Sequence, residues 1–182
     1  QIQKDCVTID DDVRWLVALI SDTGMRLSEA AGLHVNDIML DNDIPYIDLK
    51  PHPWRGLKTR GSQRQIPLVG ASLWAAKRIK ETNSDAVYAF PRYNNTSTTN
   101  GNSASAAINK WLKTRVPEGC VIHSFRHSVR DRLREVQCPA DMIDQIGGWS
   151  TAGVGQAYGD GYNLNTLFHN MKDIQCHVSF KE

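Results

Sequence analysis

The sequence predicts one mostly helical α+β domain with a small antiparallel sheet of three strands. Three observations support this class. The 182 residues are 41% hydrophobic, which is enough for one sizeable core. Apolar residues recur at spacings of three and four along most of the chain, which is the period of a helix. Two short β-forming runs, residues 44–49 and 64–68, are joined by a connection rich in Gly, Pro and cations, which favours a long hairpin.

The elements follow in chain order. Thr8 and Asp10 precede an apolar stripe that begins at Val13, which predicts a capped first helix. A short helix is expected over 27–33, and a third strand is expected before or after the two strands of the hairpin. The Asn-, Thr- and Ser-rich residues 94–105 predict an exposed loop. Apolar spacing predicts the remaining helices at 73–79, 106–111, 124–136, 139–146 and 164–171.

Composition excludes several classes of protein. No run of about 18 apolar residues could span a membrane, and the N-terminus lacks the basic and apolar regions of a signal peptide, so we expect a soluble intracellular protein. The four cysteines form no CxxC pair, which excludes a locally built zinc or redox motif. We expect all of them to be reduced structural thiols: Cys6, Cys120, Cys138 and Cys176.

The charge is distributed unevenly although the net charge is only +1. Residues 1–49 carry three cations against ten acids, a net of −7, whereas residues 50–134 carry sixteen cations against four acids, a net of +12. Either the acidic and basic segments pack against each other, or the basic segment binds a polyanion such as nucleic acid. The sequence alone leaves both interpretations open.

His123 and His127 stand four residues apart and would share one face of a helix. A zinc-peptidase pair has a Glu directly after the first His, but Ser124 holds that position and the cation Arg126 lies between the two rings, which disfavours a metal. The alternative is that His123 carries a proton and Arg126 binds two oxygens of a phosphate with its planar fork.

Three further motifs are weak when taken singly. Arg26, in TGMRLSEAAGL, stands three residues before Glu29, which is typical of a surface ion pair and of a Glu that orients structure. Lys58, in LKTRGSQRQIPL, is typical of a solvated cation in a loop. GGW at 147–149 is followed by Tyr158, nine residues beyond Trp149.

In this order and spacing, the motifs TGMRLSEAAGL, LKTRGSQRQIPL, HSFRHS, GGW and the later Tyr resemble the catalytic domain of tyrosine recombinases, the phage integrase family. The similarity runs from about residue 13 to 171. It implies that Arg26 and Arg126 bind the scissile phosphate and that Tyr158 is the nucleophile. It also makes His123 the first His of HxxRH, Lys58 the hairpin lysine, and Trp149 the occupant of a position held by His or Trp. Tyr162 and Arg60 are the alternatives to Tyr158 and Lys58.

The resemblance implies a site-specific DNA recombinase that cleaves and rejoins strands through a 3′-phosphotyrosyl intermediate, without metal or other cofactor. The YGDGY run resembles integrases of temperate phages and prophages, which integrate or excise phage or mobile DNA in the bacterial cytoplasm. The expected partners are double-stranded DNA, three further copies in a homo-tetramer on that DNA, and accessory DNA-bending proteins. Cations expected to bind DNA are Arg55, Arg60, Arg64, Lys110, Lys113, Arg115 and Arg130.

We expect residues 1–182 to form a single catalytic domain, without the N-terminal core-binding and arm-binding DNA domains of the family. The apolar stripe over 164–171 either packs on its own domain or docks on a neighbouring protomer together with the tail 174–182. Two other functions stay open: a catalytically silent DNA-binding module of the same fold, and a His-dependent metallohydrolase.

Overall fold

The computed structural model describes residues 1–58, 62–149 and 161–175. Within these ranges the chain forms eight α-helices and one three-stranded sheet, so the predicted class is confirmed. No helix there is both long and apolar enough to cross a membrane. The helices are α1 Ile2–Ile9, α2 Asp12–Thr23, α3 Leu27–Ala31, α4 Gly70–Asn83, α5 Gly101–Leu112, α6 Ser124–Glu135, α7 Ala140–Gly147 and α8 Leu164–Asp173.

The sheet is antiparallel, with its strands in the order β1 Ile38–Met39, β2 Tyr46–Leu49 and β3 Arg64–Pro67. The third strand therefore precedes the predicted hairpin. Ile47 pairs with Ile66, and both side chains are buried because alternate residues of a strand face the core. Leu49 pairs with Arg64, which brings an arginine onto the same inward face as Ile66.

Helix α2 is the centre of the core, packed against α1, α4 and α6. Its N-cap is Asp11, one residue after Asp10, the later of the two residues that we predicted to cap it. Asp11 takes this role because its side chain accepts a hydrogen bond from the backbone N–H of Arg14 at 3.0 Å. Thr8 lies instead within α1, and Asp10 is the residue that follows it. The sequence did not predict this helix. Asp10 ends α1 in the left-handed region, with a φ of 52°.

The predicted loop over 94–105 is correct only in its first half. Helix α5 begins at Gly101, five residues before the expected start, because the side chain of Asn100 caps it by accepting from the backbone N–H of Ser103 at 3.0 Å. Residues 101–105 are therefore helical, and Ala104 is buried in the core.

Helix α8 packs on its own domain, against β3, with Leu167 and Met171 buried. The tail begins in the same way. Ile174 is 5% exposed, and its carbonyl oxygen accepts a hydrogen bond from Arg132 Nη1 at 2.8 Å. Ile174 thus packs against the rest of its own chain, while residues 176–182 lie outside the described residues.

The cysteine expectation holds for two positions and fails at a third. Cys6 and Cys138 are free and buried, and burial raises the pKa of these thiols to about 12 and about 11 respectively. Cys120 is free but exposed, so it is not a structural thiol. Cys176 lies outside the described residues.

Candidate active site

Arg26 stands at the start of α3 with its side chain 23% exposed. Its Nη1 donates to Glu29 Oε1 at 2.6 Å and to Ser62 Oγ at 3.3 Å. Its Nη2 donates to the carbonyl oxygen of Gly148 at 2.9 Å. These contacts fix the orientation of the guanidinium while leaving part of it open to solvent, as a preorganised anion-binding group requires.

Arg126 lies in the first turn of α6 and is only 3% exposed. Its Nη1 donates to the carbonyl oxygen of Gly24, and its Nη2 donates to that of Gly147 at 3.1 Å. Burial and the nearby charge of Arg26 lower the pKa of Arg126 to about 10, so it is still a cation at neutral pH. The two guanidinium groups therefore lie close enough to repel each other electrostatically.

The last carbonyl groups of α7, at residues 146–148, form a feature that we call the carbonyl turn. Such carbonyls have no partner within their own helix. Here three successive ones each accept from a different arginine: Ile146 from Arg64 Nε at 2.8 Å, Gly147 from Arg126, and Gly148 from Arg26. Cations are favoured at the negative end of a helix, so the carbonyl turn gathers three arginines that are remote in sequence.

Trp149 follows the carbonyl turn and is partly buried. Its ring centroid lies 4.9 Å from Cζ of Arg126 and 5.3 Å from Cζ of Arg130, so the indole contacts two cations presented one turn apart on α6. The ring also packs directly against Gly147, where a β-carbon would lie 1.9 Å from its nearest atom. The absence of a side chain at residue 147 is therefore what admits the tryptophan.

His123 immediately precedes α6 and is exposed, with its ring 5.4 Å from that of His127. Desolvation and the charge of Arg126 lower its pKa below the ordinary 6.5, so the imidazole is mostly neutral near pH 7. His123 and Arg126 together line a cavity of about 200 Å³ whose other walls are mainly apolar. A neutral imidazole beside a buried guanidinium can accept a proton from a group held at that guanidinium.

Lys58 is exposed at the end of the described part of the hairpin. Arg60 and Tyr158 lie outside the described residues, in the gaps 59–61 and 150–160. The structure therefore brings together four of the six predicted catalytic residues: Arg26, His123, Arg126 and Trp149.

Tyr162, the alternative nucleophile, has its hydroxyl at the N-terminal end of α7 and its backbone against Gln145 in the last turn of that helix. Its hydroxyl donates to Asp141 Oδ2 at 2.9 Å, and this hydrogen bond raises the pKa of the phenol. Gln145 binds both the backbone N–H and the carbonyl oxygen of Tyr162, each at 2.8 Å. Six residues of helix separate Asp141 from Gly147, a rise of about 9 Å. The hydroxyl of Tyr162 is therefore bound at the end of α7 that lies away from the carbonyl turn.

Two of the cations expected to bind DNA are buried, which corrects both assignments. Arg55 is 3% exposed and donates to the carbonyl oxygen of Lys50 at 2.7 Å, and Arg64 is 8% exposed and fully engaged with protein groups. The sequence does carry a signal for Arg64, since it stands two residues before Ile66 and therefore on the inward face of the strand. Neither guanidinium is available to a phosphate at the surface.

The other described cations of that set lie at the surface. Lys110, Lys113 and Arg115 are exposed at the C-terminal end of α5, and Arg115 lies over the ring of Trp111, 4.9 Å from its centroid. Arg130 is half-buried beside Trp149. Arg115 and Arg130 are also within ion-pair distance of Asp5 and Asp144, at 3.8 and 3.7 Å.

Ion pairs account for part of the charge asymmetry, because several acids of residues 1–49 pair with cations of residues 50–134. The basic segment nevertheless keeps exposed cations, including Lys58, so packing of the acidic and basic segments accounts for only part of the charge pattern. The pairs between the two segments include Lys50–Asp37, Arg55–Asp37, Arg64–Glu29, Arg78–Asp10, Arg115–Asp5 and Arg132–Asp22.

Across the described ranges, no group of three or more His, Cys, Asp or Glu side chains is placed to hold a metal ion. His123 and His127 thus have no further described side chain of these types positioned to complete a site with them. The metallohydrolase interpretation receives no support from this geometry.

Known proteins resemble this chain in sequence and in fold. Residues 2–163 match the model of the phage integrase family. No curated protein matches the chain. Two solved structures share its fold, each 18% identical in sequence. The XerH site-specific recombinase bound to its difH substrate, in a pre-cleavage complex, matches with a TM-score of 0.61 over 82% of this chain. The Tn1549 transposon integrase in complex with circular intermediate DNA matches with a TM-score of 0.54 over 84% of this chain.

The chain spans 45% and 60% of the length of those two structures. At this level of identity the structural likeness shows the fold, which is that of tyrosine recombinase catalytic domains. The family model extends further, since it covers nearly all of the sequence, from the unpredicted helix α1 to the start of α8. The chain belongs to the phage integrase family.

Proposed function

We propose that this chain is the catalytic domain of a site-specific DNA recombinase, which cleaves one strand, holds its 3′ phosphate on Tyr158 and rejoins it to another strand. The observation that carries the proposal is the convergence of Arg26 and Arg126 on the carbonyl turn, with a neutral His123 beside them. Family membership supports the same reaction.

The two arginines supply the electrostatic part of the reaction. Attack on a phosphodiester gathers negative charge on the non-bridging oxygens of phosphorus. Two guanidinium groups oriented beforehand stabilise that charge more in the transition state than in the ground state, which is what accelerates a reaction. The pKa of Arg126, although lowered to about 10, still leaves that guanidinium charged at neutral pH.

Two proton transfers complete the step. The phenol oxygen of Tyr158 attacks phosphorus as its proton passes to His123, while the bond from phosphorus to the 5′ oxygen breaks and that oxygen takes a proton from Lys58. Trp149 packs against Arg126 and has an indole N–H to donate, but it has no proton to shuttle. The phosphotyrosyl bond keeps the energy of the broken phosphodiester, so a 5′-hydroxyl reverses the step without ATP.

The exposed cations Lys58, Lys110, Lys113 and Arg115 are proposed to bind the DNA backbone, and Arg130 is proposed to bind beside the site. XerH and the Tn1549 integrase were each solved bound to DNA, which supports duplex DNA as the partner. Integration or excision of phage or other mobile DNA in a bacterial host, by a homo-tetramer assisted by DNA-bending proteins, is the context that we propose.

The test is capture of the covalent intermediate. The chain is incubated with a pool of nicked duplexes of randomised sequence, in which the short 5′-hydroxyl fragment released by cleavage diffuses away and leaves the protein attached. We expect an adduct that resists denaturation and that mass spectrometry assigns to Tyr158. Tyr158→Phe should abolish it, whereas the matched control Tyr162→Phe should retain it, because Tyr162 is bound to Asp141 at the far end of α7.

An adduct on Tyr162 would contradict the assignment of the nucleophile. A chain that binds the duplexes but forms no adduct at all would refute the reaction and leave the silent DNA-binding module. A requirement for a divalent metal ion, shown by loss of the adduct in EDTA, would contradict the metal-free mechanism.

A further inference from the structure

Arg64 is the third arginine at the carbonyl turn, and all three of its side-chain nitrogens are hydrogen-bonded to protein groups. It lies at the start of β3 with 8% of its surface exposed. Each of its three nitrogens donates to a different part of the chain: Nε to the carbonyl of Ile146 at 2.8 Å, Nη1 to that of Ser62 at 2.7 Å, and Nη2 to Glu29 Oε2 at 3.1 Å. Because each of the three nitrogens already donates a hydrogen bond within the protein, this guanidinium is poorly placed to bind a phosphate.

Arg64 reaches Arg26 through Glu29. The same carboxylate accepts from the backbone N–H of Arg26 at 2.9 Å and from its Nη1 at 2.6 Å. Burial by itself would raise the pKa of Glu29, but the ion pairs with Arg64 and Arg26 outweigh burial and leave the pKa below its ordinary value. Glu29 is therefore a buried anion held between two cations, and the orientation of Arg26 depends on where Arg64 holds it.

Arg64 reaches Arg126 through the carbonyl turn. By fixing the carbonyl of Ile146, it fixes the neighbouring carbonyl of Gly147, to which Arg126 donates. The fit is close, because a β-carbon at Gly148 would lie 2.6 Å from Nη1 of Arg64. Arg64 also begins β3, directly after the connection between β2 and β3 in which Lys58 lies.

We propose that Arg64 is a positioning residue, which sets the separation and orientation of Arg26 and Arg126 without touching the DNA. The inference rests on the proposed function and deepens it, since it identifies what holds the phosphate-binding pair together. It also explains why an arginine is needed there. A lysine has one nitrogen at the end of a flexible stem and cannot reach three acceptors in fixed directions.

The experiment compares Arg64→Lys with Arg132→Lys, a control matched in chemistry. Arg132 likewise donates to one buried carboxylate, that of Asp22, and to two carbonyl oxygens, but it lies on the side of α6 that faces the tail. The rate measured is single-turnover adduct formation by enzyme already bound to a suicide duplex. We expect Arg64→Lys to lower it by about 100-fold, the scale of a 1 Å misplacement at a reacting centre. Arg132→Lys should stay within about 3-fold of the wild type, the limit for a change remote from the site.

A double-mutant cycle with Arg26→Lys separates positioning from general destabilisation. If Arg64 acts by aligning Arg26, then adding Arg64→Lys to Arg26→Lys should lower the rate by less than about 5-fold further, because the alignment is already lost. A full multiplicative loss, or equal rates for Arg64→Lys and Arg132→Lys, would overturn the inference.

If Arg64→Lys fails to fold, Glu29→Gln breaks the same link from its other side, and the cycle is repeated with that variant and the same two outcomes. The wild-type chain is the reference in every arm. A wild-type chain without any adduct refutes the proposed function, whereas a wild-type adduct with unaffected variants refutes only the role of Arg64.

Discussion

Replacing Gly147 with alanine would place a methyl group inside the space that the Trp149 ring fills. The new β-carbon would lie 1.9 Å from Cζ3, 2.0 Å from Cε3 and 2.4 Å from Cη2 of that ring. Carbon atoms pack favourably at about 3.5 to 4.0 Å, so the indole would have to move by roughly 1.5 to 2 Å. Such a shift would take the ring off the guanidinium groups of Arg126 and Arg130.

The balance of free energies predicts a destabilised protein. Alanine is more favourable than glycine in a helix by about 1 kcal/mol. Against that gain, forcing an extra methyl group into a packed region costs about 1 to 3 kcal/mol. Losing the contacts between the ring and the cations costs roughly a further 0.5 to 2 kcal/mol. We expect Gly147→Ala to lower the free energy of unfolding by about 0.5 to 4 kcal/mol and to slow adduct formation.

Urea unfolding measures this loss, with Gly101→Ala as the control. Gly101 also lies at the end of a helix, but a β-carbon there would meet only Ser28, at an ordinary 3.9 Å, so this variant should be as stable as the wild type or more so. Removing the ring provides a second check, since Gly147→Ala should cost little when Trp149→Ala is already present. The reasoning fails if Gly147→Ala matches Gly101→Ala, or if its cost persists without the ring.

Two further predictions concern a histidine and the thiols. The pKa of His123 is lower in the folded chain than its ordinary 6.5. The neutral ring therefore contributes its whole stabilisation above pH 6.5, and this contribution is lost as the pH falls through the lowered pKa. Urea titrations from about pH 8 to about pH 5 should show a smaller fall for His123→Gln than for the wild type, and equal falls would contradict the sign. Iodoacetamide should alkylate Cys120 before Cys6 or Cys138, whose burial raises their pKa, and peptide mass spectrometry that finds either buried thiol modified first would refute the assignment.

Helices with a clear apolar stripe could be predicted from the sequence to within two residues, as α6, α7 and α8 show. Helix α1 could not, because its buried side chains are Gln3 and Cys6 rather than a stripe of large apolar groups. The start of α5 was missed because its first residues are Gly, Asn and Ser, which are weak helix formers when no cap is considered. In both cases tertiary contacts or capping outweighed local preference.

The candidate site was predictable only in part. Arg26 and Arg126 are a hundred residues apart, and no spacing argument brings them together. Their pairing came from a resemblance, and the structure supplies its physical basis in the carbonyl turn. The burial of Arg64 was signalled by its strand face, but a buried cation requires an anion, and only the tertiary fold shows that Glu29 provides it.

The carbonyl turn also determines when, during synthesis, the arginines can first be organised. Arg126 binds a carbonyl only 21 positions later. Arg26 binds the carbonyl of a residue 122 positions later, and Arg64 binds one 82 positions later, so these two contacts join distant parts of the chain. Closing such long loops costs chain entropy, and this cost is offset only once the distant residues are in contact. A nascent chain that ends between residues 126 and 146 carries all three arginines but lacks the turn that gathers them. Arg26 and Arg126 are therefore brought together only after residue 148 has been added.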